Sequence, residues 1–227
     1  MSATIRLSAF LPYVLPHAPG VPNFVAEKYL RMAAIEFCER TRCWRKITEV
    51  EVGADNAVAL VAPYHAAIHM IEFASFSSES APKAPLTPTQ FSDIGERYRA
   101  DMEQEGPPRY ITQVTPNEVR IFPLATGTLE VSLFLKPRMG QDMATNDPGD
   151  PIQDTFNLVP DFLLTQWGEP IAAGALSKLL VQPQKRWSNP QLAGFYLDRF
   201  NAACDSHFGQ SIKGQQRAPA RSRFRFV

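Results

Sequence analysis

The sequence predicts an α+β protein: a helical bundle built from N- and C-terminal helices, with an inserted small antiparallel β region and extended termini. Three observations carry that prediction. Apolar residues recur at helical spacing through residues 21–48 and again through 159–208. Between them, short runs alternate apolar and polar residues and are punctuated by Pro, Gly and Asn, the pattern of strands and turns. The connections between those runs are too short for helical crossovers, so the strands are expected to pair antiparallel.

Residues 1–21 are apolar but carry Pro12, Pro16 and Pro19, which favours an extended arm. Pro22 and Asn23 mark a helix start, and Leu30, Ala33, Ala34, Phe37, Thr41 and Trp44 then fall three or four apart on one face. Glu27 sits near the positive end of that helix, while Arg40, Arg42, Arg45 and Lys46 crowd its negative end, as the helix dipole prefers. From Ile47 the period changes. Strands are predicted at 47–52, 57–61, 68–73, 110–114, 119–122 and 128–135, within an inserted β domain spanning 47–136. Residues 77–89, with several prolines, serines and threonines, read as a surface loop.

Residues 137–159, dense in Pro, Asp and Gly, read as a linker back to the helices. A helix is predicted over 161–182, with Pro170 expected to kink it. Its small residues Ala172, Ala173, Gly174 and Ala175 permit close approach of another helix. Ser188 or Asn189 caps the last helix with Pro190 in its first turn, and Leu192, Phe195 or Tyr196, Phe200, Ala203 and His207 repeat at helical spacing. The bundle domain is thus residues 22–46 with 160–208, and its expected core includes Leu30, Phe37, Trp44, Leu176, Leu179, Leu192 and Phe200.

Composition narrows the function classes. The chain has 227 residues, 44% hydrophobic and 20% charged, which suffices for a buried core. Lys+Arg and Asp+Glu balance at 23 each, so no global field draws it to nucleic acid or acidic lipid. No apolar run approaches the roughly 20 residues of a membrane span, and prolines interrupt the N-terminal apolar stretch where a secretory signal would lie. Cys38, Cys43 and Cys204 are odd in number and lack zinc spacing; Cys38 and Cys43, five apart, do not share a helical face and read as small buried residues. Folding in a reducing cytoplasm is expected.

Candidate chemistry is sparse. His65, His69 and Glu72 would converge on a helix, but the residues that follow Pro63 alternate as a strand, which sets positions 65 and 69 about 13 Å apart. Asp93, Glu96, Asp101, Glu103 and Glu105, interspersed with Arg97 and Arg99, read as a solvated loop. Nucleophile elbows, phosphate loops, dinucleotide glycine patterns and zinc-protease helices are absent from the sequence. The expectation is therefore a non-enzyme without cofactor or metal. The terminal segment 209–227 differs from the rest: Arg217, Arg221, Arg223, Phe224, Arg225, Phe226 and Val227 form a basic, aromatic tail without an acid. A loose terminus is one reading. The other is an arm that orders on a partner, with Arg on carboxylates and Phe in apolar pockets.

Several pieces taken in order resemble the head–tail adaptor (connector or neck) proteins of tailed bacteriophages. They are Ala34-Ile35-Glu36-Phe37-Cys38-Glu39-Arg40-Thr41-Arg42-Cys43-Trp44-Arg45, Leu133-Phe134-Leu135-Lys136-Pro137, Val159-Pro160-Asp161-Phe162-Leu163-Leu164, Ala172-Ala173-Gly174-Ala175-Leu176 and Trp187-Ser188-Asn189-Pro190. Pro170 departs from the pattern, where an ordinary helix former is expected. The resemblance implies a virion protein assembled in the host cytoplasm, forming a ring of roughly twelve identical copies beneath the portal. It implies as partners the portal protein, the next tail or neck component and neighbouring copies, with genomic DNA passing through the centre without sequence-specific binding. The tail residues from Arg217 to Val227 are the expected portal anchor. A tail-completion or stopper protein of the neck, or a cytoplasmic enzyme with an unrecognised site, are the alternatives.

Overall fold

The computed structural model describes residues 3–53, 58–78, 81–94, 107–139 and 157–213. The chain divides into two compact units, one of residues 1–43 with 160–227 and the other of residues 44–159.

The first unit opens with strand β1 (Thr4–Arg6), a 3-10 turn (Leu7–Phe10) and a short helix α1 (Leu11–Val14). Helix α2 (Asn23–Thr41) begins after Pro22, whose extended backbone (φ −64°, ψ 139°) sets the chain direction at the helix start. It ends at Arg42, which is left-handed (φ 54°) and donates its N–H to the Cys38 carbonyl at 2.9 Å. Helix α3 (Asp161–Leu180) is central and packs against α1, α2 and α4 (Pro190–Lys213). It is apolar nearly all round, as an interior helix must be: Leu163, Ile171, Ala172, Ala173, Ala175, Leu176, Leu179 and Leu180 are all buried. Pro170 lies within it and the helix is continuous across that residue. Asn189 caps α4 by accepting the Leu192 N–H at 3.1 Å on its side-chain oxygen. Ala193, Tyr196, Phe200 and Cys204 then bury one stripe of α4 and leave Phe195 exposed.

Close packing holds this unit. A Cβ on Gly174 would come within 2.7 Å of the Phe200 ring and 3.0 Å of the Ala33 Cβ, so only glycine lets α3 lie this near α2 and α4. Phe37 packs with Phe200, Trp167 and His207 at ring-centroid distances of 6.3, 5.7 and 6.2 Å.

The second unit is built on a seven-stranded sheet, in the order β2-β8-β4-β5-β6-β7-β3. Its strands are β2 (Arg45–Val52), β3 (Val58–Leu60), β4 (Ala66–Ser78), β5 (Ala81–Pro88), β6 (Tyr110–Gln113), β7 (Glu118–Phe122) and β8 (Gly127–Pro137); a short β9 (Leu158–Pro160) leads into α3. The two ends of the order, β2 and β3, approach each other, and the Lys46 ammonium donates to the Val61 carbonyl at 3.0 Å, so the sheet curls into a nearly closed barrel. β8 organises it. Leu129, Val131, Leu133 and Leu135 alternate with outward residues and are fully buried. Their partners on β4 include Phe76, Ala74, Ile71 and Ile68, with two bulges letting the longer strand follow the curve.

A polar knot closes one end of this sheet. Asn117 is buried and donates to the Pro63 and Ala66 carbonyls at 2.6 and 2.7 Å, while its side-chain oxygen accepts from Arg138 at 3.2 Å.

The architecture corrects the expected one. The molecule is not a helical bundle with a small β insertion: the sheet is large and nearly closed, and the described residues hold four helices. Nor is the sheet wholly antiparallel, because β5 and β6 run parallel. The segment read as a loop at 77–89 is in fact the end of β4 and β5. Two of its prolines are accommodated by alternation. Thr87 and Thr89 donate to Arg109 and Ile111 on the β6 flank, so Pro85, two residues earlier, faces the same flank before β6 begins. Pro88 faces the other flank, beyond Leu86, the last β5 residue paired with β4. Neither proline is asked for an N–H. The N-terminal residues also differ from an extended arm, since Leu7, Phe10 and Val14 are buried from short helical turns.

Candidate functional site

The candidate functional features are surfaces. On the sheet unit, the outer face of β2, β8 and β4 carries Ile47, Met70 and Phe73, which are 63%, 37% and 47% exposed. The register explains the grouping: Ile47 and Phe73 both stand opposite Ser132, and Met70 stands opposite Phe134. Charged groups fix the ground between these apolar side chains. Arg45 pairs with Glu72 at 2.5 Å, donates to the Ser132 hydroxyl at 3.2 Å, and that hydroxyl donates to Glu72 at 2.6 Å. Toward β5, Lys83 pairs with Glu130 at 2.5 Å and Ser75 donates to the same carboxylate at 3.1 Å. The Lys83 hydrogen bond draws the Glu130 carboxyl below its ordinary range and raises the Lys83 amine. The face is therefore a mixed strip of apolar side chains and ion pairs.

On the helical unit, Phe24 in the first turn of α2 is 74% exposed and Phe195 on α4 is 59% exposed. The connection between α3 and α4 presents Lys185 and Arg186 to solvent. Lys178 of α3 reaches Glu36 of α2 at 2.7 Å, and Arg40 joins Asn201 and Asp205 of α4 at 2.6 and 3.2 Å.

Of the expected core residues, Leu30, Phe37, Leu176, Leu179 and Phe200 are buried in the helical unit, whereas Leu192 is half-buried. Trp44 is buried in the sheet unit, stacked on His65 at 6.0 Å with 15° between the rings. The tail residues Arg217, Arg221, Arg223, Phe224, Arg225, Phe226 and Val227 lie outside the described residues, as do Glu96, Asp101, Glu103 and Glu105. His69 and Glu72 belong to β4, while His65 precedes it, and among the described residues no three His, Cys, Asp or Glu side chains are grouped to hold a metal ion. No helix among the described residues is long and apolar enough to cross a membrane.

The outer strip was not visible in the sequence. Ile47 and Phe73 each look like ordinary strand residues, and only the register that sets both against Ser132 shows them as neighbours.

A search of curated proteins finds no match to this chain. The profile of the SU10 adaptor protein family, by contrast, matches residues 8–223, spanning both units. The chain therefore belongs to the SU10 adaptor protein family, a family of phage head–tail adaptors.

Proposed function

We propose that this adaptor assembles as a ring of identical subunits beneath the portal at the capsid vertex, links the capsid to the next tail component, and continues the channel through which the genome passes. The observation that carries the reading is the family match over nearly the whole chain, residues 8–223. A ring requires two different complementary patches on each subunit. The mixed apolar and charged strip around Ile47, Phe73 and Arg45 supplies one kind of surface, and the exposed aromatics of α2 and α4 supply another. In this reading residues 22–46 and 160–208 form the ring wall, while residues 47–136 meet neighbours or the tail component. The role is structural rather than catalytic.

The terminal residues from Arg217 to Val227 reach the portal and anchor there, with guanidinium groups on acidic side chains and rings in apolar pockets. Truncation at Gln216 is expected to weaken portal binding while leaving the circular dichroism spectrum of the fold intact; equal binding by the truncated chain removes the anchoring role. Quantitative peptide mass spectrometry of purified particles tests the ring itself. Copy numbers equal to those of the portal protein support a portal-matched ring. Half as many or fewer indicate a neck component of lower symmetry, such as a stopper, and absence from particles overturns the adaptor assignment.

A further inference from the structure

Cys38 and Cys43 are five residues apart, too far round a continuous helix to share a face. The helix does not continue between them. Arg42 turns left-handed and closes the cap on the Cys38 carbonyl. In caps of this kind the residue after the left-handed position packs back onto the helix's last turn, normally as an apolar contact. Here both partners are cysteines, and a hydrogen bond shared between their thiols bears on the ionisation of each.

The two thiols are not equivalent. Cys38 is fully buried; Cys43 is partly exposed. The shared hydrogen bond, together with burial, pushes the Cys38 thiol well up. The same bond pulls the Cys43 thiol down, opposed by burial and assisted by a hydrogen bond with Thr41. Cys204 on α4 is buried, and that burial pushes its thiol up to about 11. A thiol that ionises more readily and meets solvent, with a second thiol directly behind it, is the arrangement of an attacking and a resolving cysteine.

We propose that Cys38 and Cys43 form a redox-active dithiol that closes to an intramolecular disulfide by exchange with low-molecular-weight disulfides of the oxidised glutathione class. The Cys43 thiolate attacks one sulfur of the small disulfide, whose S–S bond breaks; one thiolate leaves and takes a proton from water. Cys43 then carries a mixed disulfide. Cys38 gives its proton to water and its sulfur attacks the Cys43 Sγ, expelling the second small thiolate, which is protonated in turn. Two electrons pass from the cysteine pair to the oxidant, and two small thiols are released. The product covalently closes the turn that carries the chain from α2 into β2.

The chain itself provides the readout, since trypsin cuts after Arg31, Arg40, Arg42 and Arg45. The purified full-length protein is incubated with oxidised glutathione, its remaining thiols are alkylated, and the digest is mapped without reduction. The expected product joins the peptide of residues 32–40 to that of residues 43–45, with Cys204 alkylated. Cys38→Ser should trap glutathione on Cys43, whereas Cys43→Ser should lose glutathione uptake at Cys38. Circular dichroism confirms that each variant is folded, and the wild-type map stands even where a variant is not. Full alkylation of both thiols after incubation overturns the proposal, as does linkage of Cys38 to Cys204. A Cys38→Ser protein that is folded and carries no glutathione also overturns it.

Discussion

The two units solve the same problem, how to bring backbones together, by different means. In the helical unit the obstacle is side-chain volume. Gly174 lets α3 approach Phe200 of α4 and Ala33 of α2, and a Cβ there would press on a ring and a methyl group. In the sheet unit the obstacle is backbone. A Cβ on Gly127, at the start of β8, would run into the Ser77 carbonyl oxygen. Polar groups differ in the same way. The helices carry their ion pairs at partly exposed rims, through Arg40, Glu36 and Lys178. The sheet buries an amide at its centre of connection, Asn117, bonded to three carbonyls. Helix packing here depends on volume, whereas the sheet depends on satisfied hydrogen bonds.

Substitutions can break this contrast. Gly174→Val adds three carbons where one already collides, and overpacking of this kind should cost about 3 kcal/mol. The urea midpoint should fall accordingly; an unchanged midpoint would mean that the helices are not in close approach. Asn117→Ala removes little volume but takes the side-chain donor from the Pro63 and Ala66 carbonyls and the acceptor from Arg138, at a cost of about 2 kcal/mol. Hydrogen exchange should quicken across residues 62–68, and protection equal to wild type there would show that the knot is dispensable.

Smaller effects sharpen the comparison. Arg45→Ala breaks a pair whose arginine is 53% exposed, so its loss should change stability by less than about 1 kcal/mol. A larger loss would make the outer strip part of the fold rather than a surface. The smallest effect is expected at His65, whose imidazole burial, aided by nearby Lys46, holds below the usual histidine range. The unfolded imidazole takes up its proton near pH 6.5, roughly, while the folded one resists, so the unfolded state binds more protons just below that pH. Stability should therefore fall as pH drops from about 6.5 through the folded value. His65→Gln should flatten that slope in equilibrium unfolding, and an identical slope would clear His65 of the effect.

Much of the local structure could be read from the chain. Pro22 and Asn23 mark the start of α2, Asn189 and Pro190 that of α4, and the Ala-Gly-Ala run in α3 is where helices meet most closely. The strand pattern located β8, predicted over 128–135 and formed over Gly127–Pro137. What failed was the assembly of these parts, and one segment explains most of it. Residues 81–88 carry Pro82, Pro85 and Pro88, so propensity alone reads them as a loop. Removing β5 cuts the sheet order between β4 and β6, leaving two small pieces where there is one curled sheet. The dithiol was hidden for a related reason: spacing on an ideal helix says nothing about a chain that reverses at Arg42. The candidate surfaces depend on register between distant strands, which a single sequence does not encode locally.

The same β5 prolines have a consequence for how the chain meets other chains in solution. An open strand flank is a template on which a second chain can begin to stack. Among the described residues the β5 flank that precedes β6 is unpaired along residues 81–86, and it offers Pro85, which has no hydrogen to give, beside the charged Lys83. A chain arriving there finds an interrupted row of donors and a charge to desolvate. The residues that disguise β5 as a loop thus make its flank a poor template for aggregation.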